Sequence, residues 1–160
     1  MMNKILTAIS LMLGFALPSW ADDREQLIGV WKLQSWNVEF QDTGEREASY
    51  GTHPNGFVIF APEGRMMAVL TAEGREVPKT DAERAAAFKS MFAYSGIYRL
   101  EGDHWITKVD TSWNEALVGT DQVRFYRLEG DMLTVTTPWT ASVNFDGRIF
   151  RGHLTWVREK

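Results

Sequence analysis

The sequence predicts an all-β fold, an eight-stranded antiparallel up-and-down barrel with one short helix between strands 3 and 4. Three observations carry this prediction. Apolar and polar residues alternate with a period of two over most of the chain. Clusters of Gly, Pro, Asn and Asp interrupt the alternating runs at short intervals. Tyr98-Arg99-Leu100-Glu101-Gly102-Asp103 recurs 28 residues later as Tyr126-Arg127-Leu128-Glu129-Gly130-Asp131, each copy lying where a hairpin has to turn. Short connections between consecutive strands imply a meander, and closing the meander removes its exposed edges. A barrel of about eight strands has an interior that either just fills with side chains or holds one small ligand.

The elements follow in chain order. Lys4 precedes an apolar run from Ile5 to Leu17, too short to span a bilayer, and Pro18 ends it. Ser19 and Ala21 flank Trp20 in the small-x-small pattern of a cleavage site. Residues 1–21 are therefore expected to be a signal peptide cleaved after Ala21, and residues 22–160 a single domain in the periplasm or the medium. A short turn-rich leader is expected next. Gly29 to Phe40 interleaves Val, Trp, Leu and Phe with Lys, Gln, Asn and Glu, which is a strand. Asp42, Thr43 and Gly44 break it, and a polar stretch leads to the turn at His53-Pro54-Asn55-Gly56. Phe57–Phe60 and Met66–Thr71 make a hairpin about Pro62-Glu63-Gly64. Thr80 with Glu83 is a capping-box signature, and the helix it opens runs through Phe88 and Met91, with Phe88, Met91 and Phe92 on one face. The two copies of the repeat are hairpins in which Gly102 and Gly130 supply the positive φ. Arg148 to Arg158 is the last strand.

Composition narrows the classes of function. Loss of residues 1–21 removes one cation, so 17 Lys and Arg become 16 against 21 Asp and Glu, a net charge of −5. The arginines stand singly among acids, so no nucleic-acid partner is expected. No second apolar run offers a membrane span in the mature chain, and the absence of cysteine excludes disulfides. Seven Trp, nine Phe and four Tyr in 160 residues supply rings either to fill a barrel or to line a pocket. Nothing in the sequence sets the oligomeric state.

The blocks Leu27-Ile28-Gly29-Val30-Trp31 with Ser35-Trp36, Tyr50-Gly51 with Pro54, Gly56-Phe57 and Pro62-Glu63-Gly64-Arg65-Met66 open a recognisable order. Tyr94-Ser95-Gly96-Ile97-Tyr98, Val118-Gly119-Thr120-Asp121-Gln122-Val123-Arg124 and Leu154-Thr155-Trp156-Val157-Arg158 complete it. In this order the chain from Leu27 to Arg158 resembles the bacterial and fungal lipocalin-like domain family, a calycin-type barrel. The resemblance implies the fold strongly and the ligand hardly at all. It implies that Trp31 closes one barrel end beneath a basic residue of the last strand, for which Arg158 is the candidate. Many relatives carry histidines just before a Val-x-x-Ser segment; here Thr107 and Lys108 precede Val109 and Ser112, so no histidine role transfers.

Candidate site residues come from face assignment. Gln122, Arg124, Tyr126 and Leu128 share one strand face, and Tyr98 and Leu100 the matching face of the earlier repeat. If that face is internal, Arg124 needs a partner, either a ligand carboxylate or an internal acid such as Asp110 or Glu39; outward and solvated is the third possibility. Met66, Met67, Phe88, Met91 and Phe92 form an adaptable apolar lining or plain core, with Met66 and Phe88 kept as cavity candidates. His53, His104 and His153 have no metal-ligand spacing, and no nucleophile elbow occurs, so neither metal nor cofactor is expected. The leading expectation is an exported protein that binds or carries a small apolar or amphipathic, and if Arg124 is free acidic, ligand. A cofactor-free isomerase or cyclase using Tyr98, Arg124 and Tyr126, and a filled barrel acting as an interaction module, are the alternatives. Cavity volume separates the open readings from the filled one.

Overall fold

The computed structural model describes residues 20–141, 145 and 147–160. The apolar run Ile5–Leu17, with Pro18 and Ser19, lies outside the described residues. A helix, α1 (Trp20–Leu27), precedes β1 (Gly29–Phe40), β2 (Arg46–Ala48), β3 (Asn55–Phe60) and β4 (Arg65–Thr71). A second helix, α2 (Asp81–Lys89), leads to β5 (Met91–Glu101), β6 (His104–Ser112), β7 (Asp121–Glu129), β8 (Met132–Thr136), β9 (Thr140–Ala141) and β10 (Ile149–Arg158). The sheet order is β2-β1-β3-β4-β5-β6-β7-β8-β10-β9, and a β1–β10 pairing closes it. Eight strands are the staves of an antiparallel up-and-down barrel; β2 and β9 are short additions to β1 and β10.

The barrel has two unlike ends. Three tight connections, 61–64, 102–103 and 130–131, share one end with α1, and Gly64, Gly102 and Gly130 take φ of 90°, 62° and 60° there. The long connections, which include β2, α2, a 3₁₀ turn at Glu115–Leu117 and β9, all gather at the other end. The two ends are called the lower and the upper end below.

Period-two burial is clearest in β3 and β4, where Val58, Phe60, Met66, Ala68 and Leu70 point inward at 5 % exposure or less. Their outward neighbours are apolar too: Phe57 pairs with Val69 and Ile59 with Met67 across the outer face. The lower half of the interior is packed solid. Phe60 meets Tyr98 and Trp105 edge-on at centroid distances of 5.1 and 5.2 Å, over fully buried Leu27, Trp31 and Leu133.

Four expectations need correction. The leader is not turn-rich but helical, because Leu27 is drawn into the barrel floor and the chain behind it closes a helical bond from Ile28 N to Arg24 O. The polar stretch after β1 is not all loop: Arg46–Ala48 pairs with Asn37–Glu39, and Arg46 reaches the Glu39 carboxylate at 2.6 Å. Helix α2 opens on the capping box, with Thr80 Oγ1 accepting from Glu83 N at 3.2 Å and Glu83 Oε2 accepting from Thr80 N at 2.9 Å. It stops at Lys89, however, where Ser90 caps it through Ala86 O and Ala87 O. Met91 and Phe92 therefore belong to β5, paired with Thr71 and Leu70, and not to a helix face shared with Phe88.

Candidate ligand cavity

Above the packed lower half the barrel encloses a cavity of about 460 Å³. Its wall takes Trp36 from β1, Val58 from β3, Met66, Ala68 and Leu70 from β4, and Phe92 and Tyr94 from β5. Trp105 of β6, Gln122 and Arg124 of β7, Val135 of β8 and Leu154 and Trp156 of β10 complete it. Leu117, Pro138, Trp139 and Thr140 of the upper connections ring its mouth. The volume falls within the range of small-molecule pockets, and apolar and aromatic side chains dominate the lining, as such pockets require.

Two strand irregularities set which side chains reach this space. On β1, Leu33 pairs with Trp156 and Ser35 with Thr155, so Gln34 is left out of the ladder as a bulge. Below it Trp31 and Leu33 point inward; above it the parity changes, so Trp36, Val38 and Phe40 point inward and Glu39 outward. On β6, Gly96 pairs with Val109 and Ser95 with Thr111, so Asp110 is the bulged residue. It meets Arg65 in a two-pronged ion pair at 2.7 and 3.0 Å on the outer surface.

Arg124 is half-buried in the cavity wall beside Trp105, its register partner. Nη1 donates to Val123 O at 2.7 Å and Nη2 to Gln122 Oε1 at 3.1 Å, and the guanidinium lies 5.7 Å from the centre of the Tyr94 ring. Gln122 is held in turn, its Nε2 donating to Thr120 Oγ1 at 3.0 Å. Among the described residues no carboxylate lies within ion-pair distance of Arg124. Both internal partners expected from sequence are elsewhere. Asp110 is held by Arg65, which keeps its carboxyl below the usual range, and Glu39 is taken by Arg151, His153 and Arg46 on the outer face. Those partners pull the Glu39 carboxyl down to about 2.

The remaining candidates divide. Met66, 1 % exposed, lines the cavity. Phe88 does not: α2 lies over the upper end with no buried residue, and Phe88 is 48 % exposed there, 6.1 Å from the Trp113 ring. Met67 points outward. Tyr98 and Tyr126 are on the inner face but below the cavity. Burial pushes the Tyr98 phenol up, with nearby Arg24 opposing, and among the described residues its buried hydroxyl has no hydrogen-bond partner. The Tyr126 hydroxyl donates to Asp23 Oδ2 of α1 at 3.2 Å; burial first, and then the Asp23 charge, push its pKa up to about 12. Tyr98 and Tyr126, which the isomerase reading names with Arg124, thus do not line the cavity beside it.

The lower end is sealed by Trp31 and Arg158. The Arg158 guanidinium lies 4.1 Å from the Trp31 ring, donates to Ile28 O at 3.0 Å and also donates to Gln26 O. The Trp31 indole N–H donates to Leu27 O at 2.8 Å, so an indole of β1 and a cation of β10, paired in register, tie the end of α1 to the two closing strands. Gly29 makes room for this: its φ is 133°, and a Cβ there would sit 3.0 Å from Arg158 Nη1.

Sequence reading missed Trp36, Tyr94 and Trp105 as wall residues. Period-two counting from Trp31 sends Trp36 outward, and only the bulge at Gln34 reverses it. The Trp36 and Trp105 indole N–H groups are buried without an acceptor among the described residues. Gly152 accommodates the first of them, since a Cβ there would lie 3.0 Å from Trp36 Nε1. Among the described residues no cluster of His, Asp and Glu could hold a metal ion, and no helix is long and apolar enough to cross a membrane. A family model described as a lipocalin-like domain matches residues 28–159. No curated protein matches the chain.

Proposed function

The chain belongs to the lipocalin-like domain family, and from that premise we propose that it binds or carries a small, largely apolar molecule in the upper half of its barrel. The observation that supports this is the 460 Å³ cavity, walled by aromatic and aliphatic side chains and open among the upper connections while the lower end is sealed. A barrel serving only as an interaction module has no need of such a space. Export is part of the proposal: the pattern of residues 1–21 supports delivery to the periplasm or medium, and N-terminal sequencing of the protein from a secreting host should begin at Asp22. Recovery of chain with Met1 intact from such a host overturns that part.

Binding is tested with the neutral probe N-phenyl-1-naphthylamine. We expect saturable 1:1 binding with probe fluorescence enhanced. Ala68→Trp, which fills the cavity from β4, should abolish binding while lowering Tm by no more than a few degrees, because the new ring enters empty space. In a filled core the same change would cost about 1 to 3 kcal/mol. Absence of binding, or binding unaffected by Ala68→Trp, overturns the proposal.

A further inference from the structure

We propose that the cavity selects amphiphiles bearing an anionic head, a carboxylate being the simplest, and that Arg124, positioned by Gln122, receives that head. The inference rests on the cavity being a ligand site and deepens that reading. A cation in an apolar wall is expensive unless a counter-charge or dense hydrogen bonding compensates it. Arg124 has one backbone carbonyl and one amide oxygen as acceptors, leaving its other N–H groups without partners among the described residues.

Among the described residues the neighbouring acids do not supply the missing charge. Glu39 and Asp110 point to the outer face, and Asp121, at the cavity rim, lies 3.6 Å from Lys108 and 3.9 Å from Arg99. The wall's amide oxygen, Gln122 Oε1, is already occupied by Arg124. Arg124 therefore presents a positive charge and N–H donors to the cavity, and Gln122 Oε1 is not free to accept. An anion gains from all of this, a neutral alcohol gains less, and an alkylammonium is repelled.

The guanidinium is also held for the task. Gln122 is braced by Thr120, Tyr94 lies beside the cation, and the register with Trp105 fixes its height in the barrel. A planar fork so restrained loses little freedom when a carboxylate docks.

The experiment titrates the purified protein at pH 7.5 with decanoate, 1-decanol and decylamine, which share a tail and differ in head. Decanoate is expected to bind at least tenfold more tightly than decanol, and decylamine more weakly than either. Arg124→Met should remove the preference for decanoate over decanol while changing decanol binding less than threefold. Arg124→Lys should retain part of it. If decanol binds as tightly as decanoate, or Arg124→Met leaves the preference intact, the inference falls while the cavity remains a ligand site. If none of the three binds, the cavity reading fails and takes the inference with it. Should Arg124→Met not fold, the order of the three heads on the unaltered protein still decides.

Discussion

Gly96 and Gly152 show how much a single missing Cβ controls. A Cβ at Gly96 would lie 2.0 Å from Lys108 O, where the β5–β6 ladder crosses the Asp110 bulge. Gly96→Ala must open that ladder, and we expect a loss of at least about 2 kcal/mol in denaturant unfolding; an unchanged midpoint would refute the close approach. At Gly152 the obstacles are softer, Trp36 Nε1 at 3.0 Å and Thr137 Cγ2 at 3.3 Å. Gly152→Ala should push the indole toward the cavity, altering probe affinity more than threefold with a Tm change of a few degrees. Residues of this kind mark where the sequence stops being legible. The inner face of β7 was readable because Gln122, Arg124, Tyr126 and Leu128 keep an unbroken alternation with two apolar members. The upper half of β1 was not, because a bulge depends on which residue the neighbouring strand skips. Glu39 was a plausible partner for Arg124 only while that skip was invisible.

Among the elements, α2 was announced by its own first turn, since Thr80 and Glu83 satisfy each other without help from the rest of the chain. Its end was not announced. Met91 and Phe92 are compatible with a helix, and only the ladder to Thr71 and Leu70 draws them into β5. Helix α1 was missed for a similar reason: it has no strong local signal and is held by tertiary bonds to Arg158, Trp31 and Tyr126. Those bonds make Arg158 the main tie of this element. Arg158→Met should cost about 2 kcal/mol, since it strips donors from two backbone carbonyls and removes the cation from the Trp31 ring. Hydrogen exchange should then quicken first in residues 23–28, and uniform quickening across the barrel would contradict this account.

At the scale of the whole molecule, ionisation brackets the pH range in which the barrel is most stable. Glu39 is lowered to about 2 chiefly by Arg151, and Asp42, Glu73, Glu83 and Asp110 are lowered by their own partners. A folded-state pKa below the unfolded one favours folding above the unfolded value, so these contributions are complete above about pH 5 and decline as the pH falls toward 2. Tyr50 and Tyr126 are both raised to about 12 by burial, which favours the protonated folded form. Their contribution is complete below about pH 10, their ordinary value, and is lost as the pH climbs to about 12. Thermal unfolding should therefore show a plateau with a decline on each side. The acid limb tests the outer-face cluster directly, because the Glu39 carboxylate joins Arg46 of β2 to Arg151 and His153 of β10. Glu39→Gln should lower Tm on the plateau and make the acid limb shallower, while leaving the alkaline limb and the decanoate preference unchanged. Loss of that preference in Glu39→Gln would mean that Glu39 communicates with Arg124 after all, contrary to its outward position above the bulge on β1.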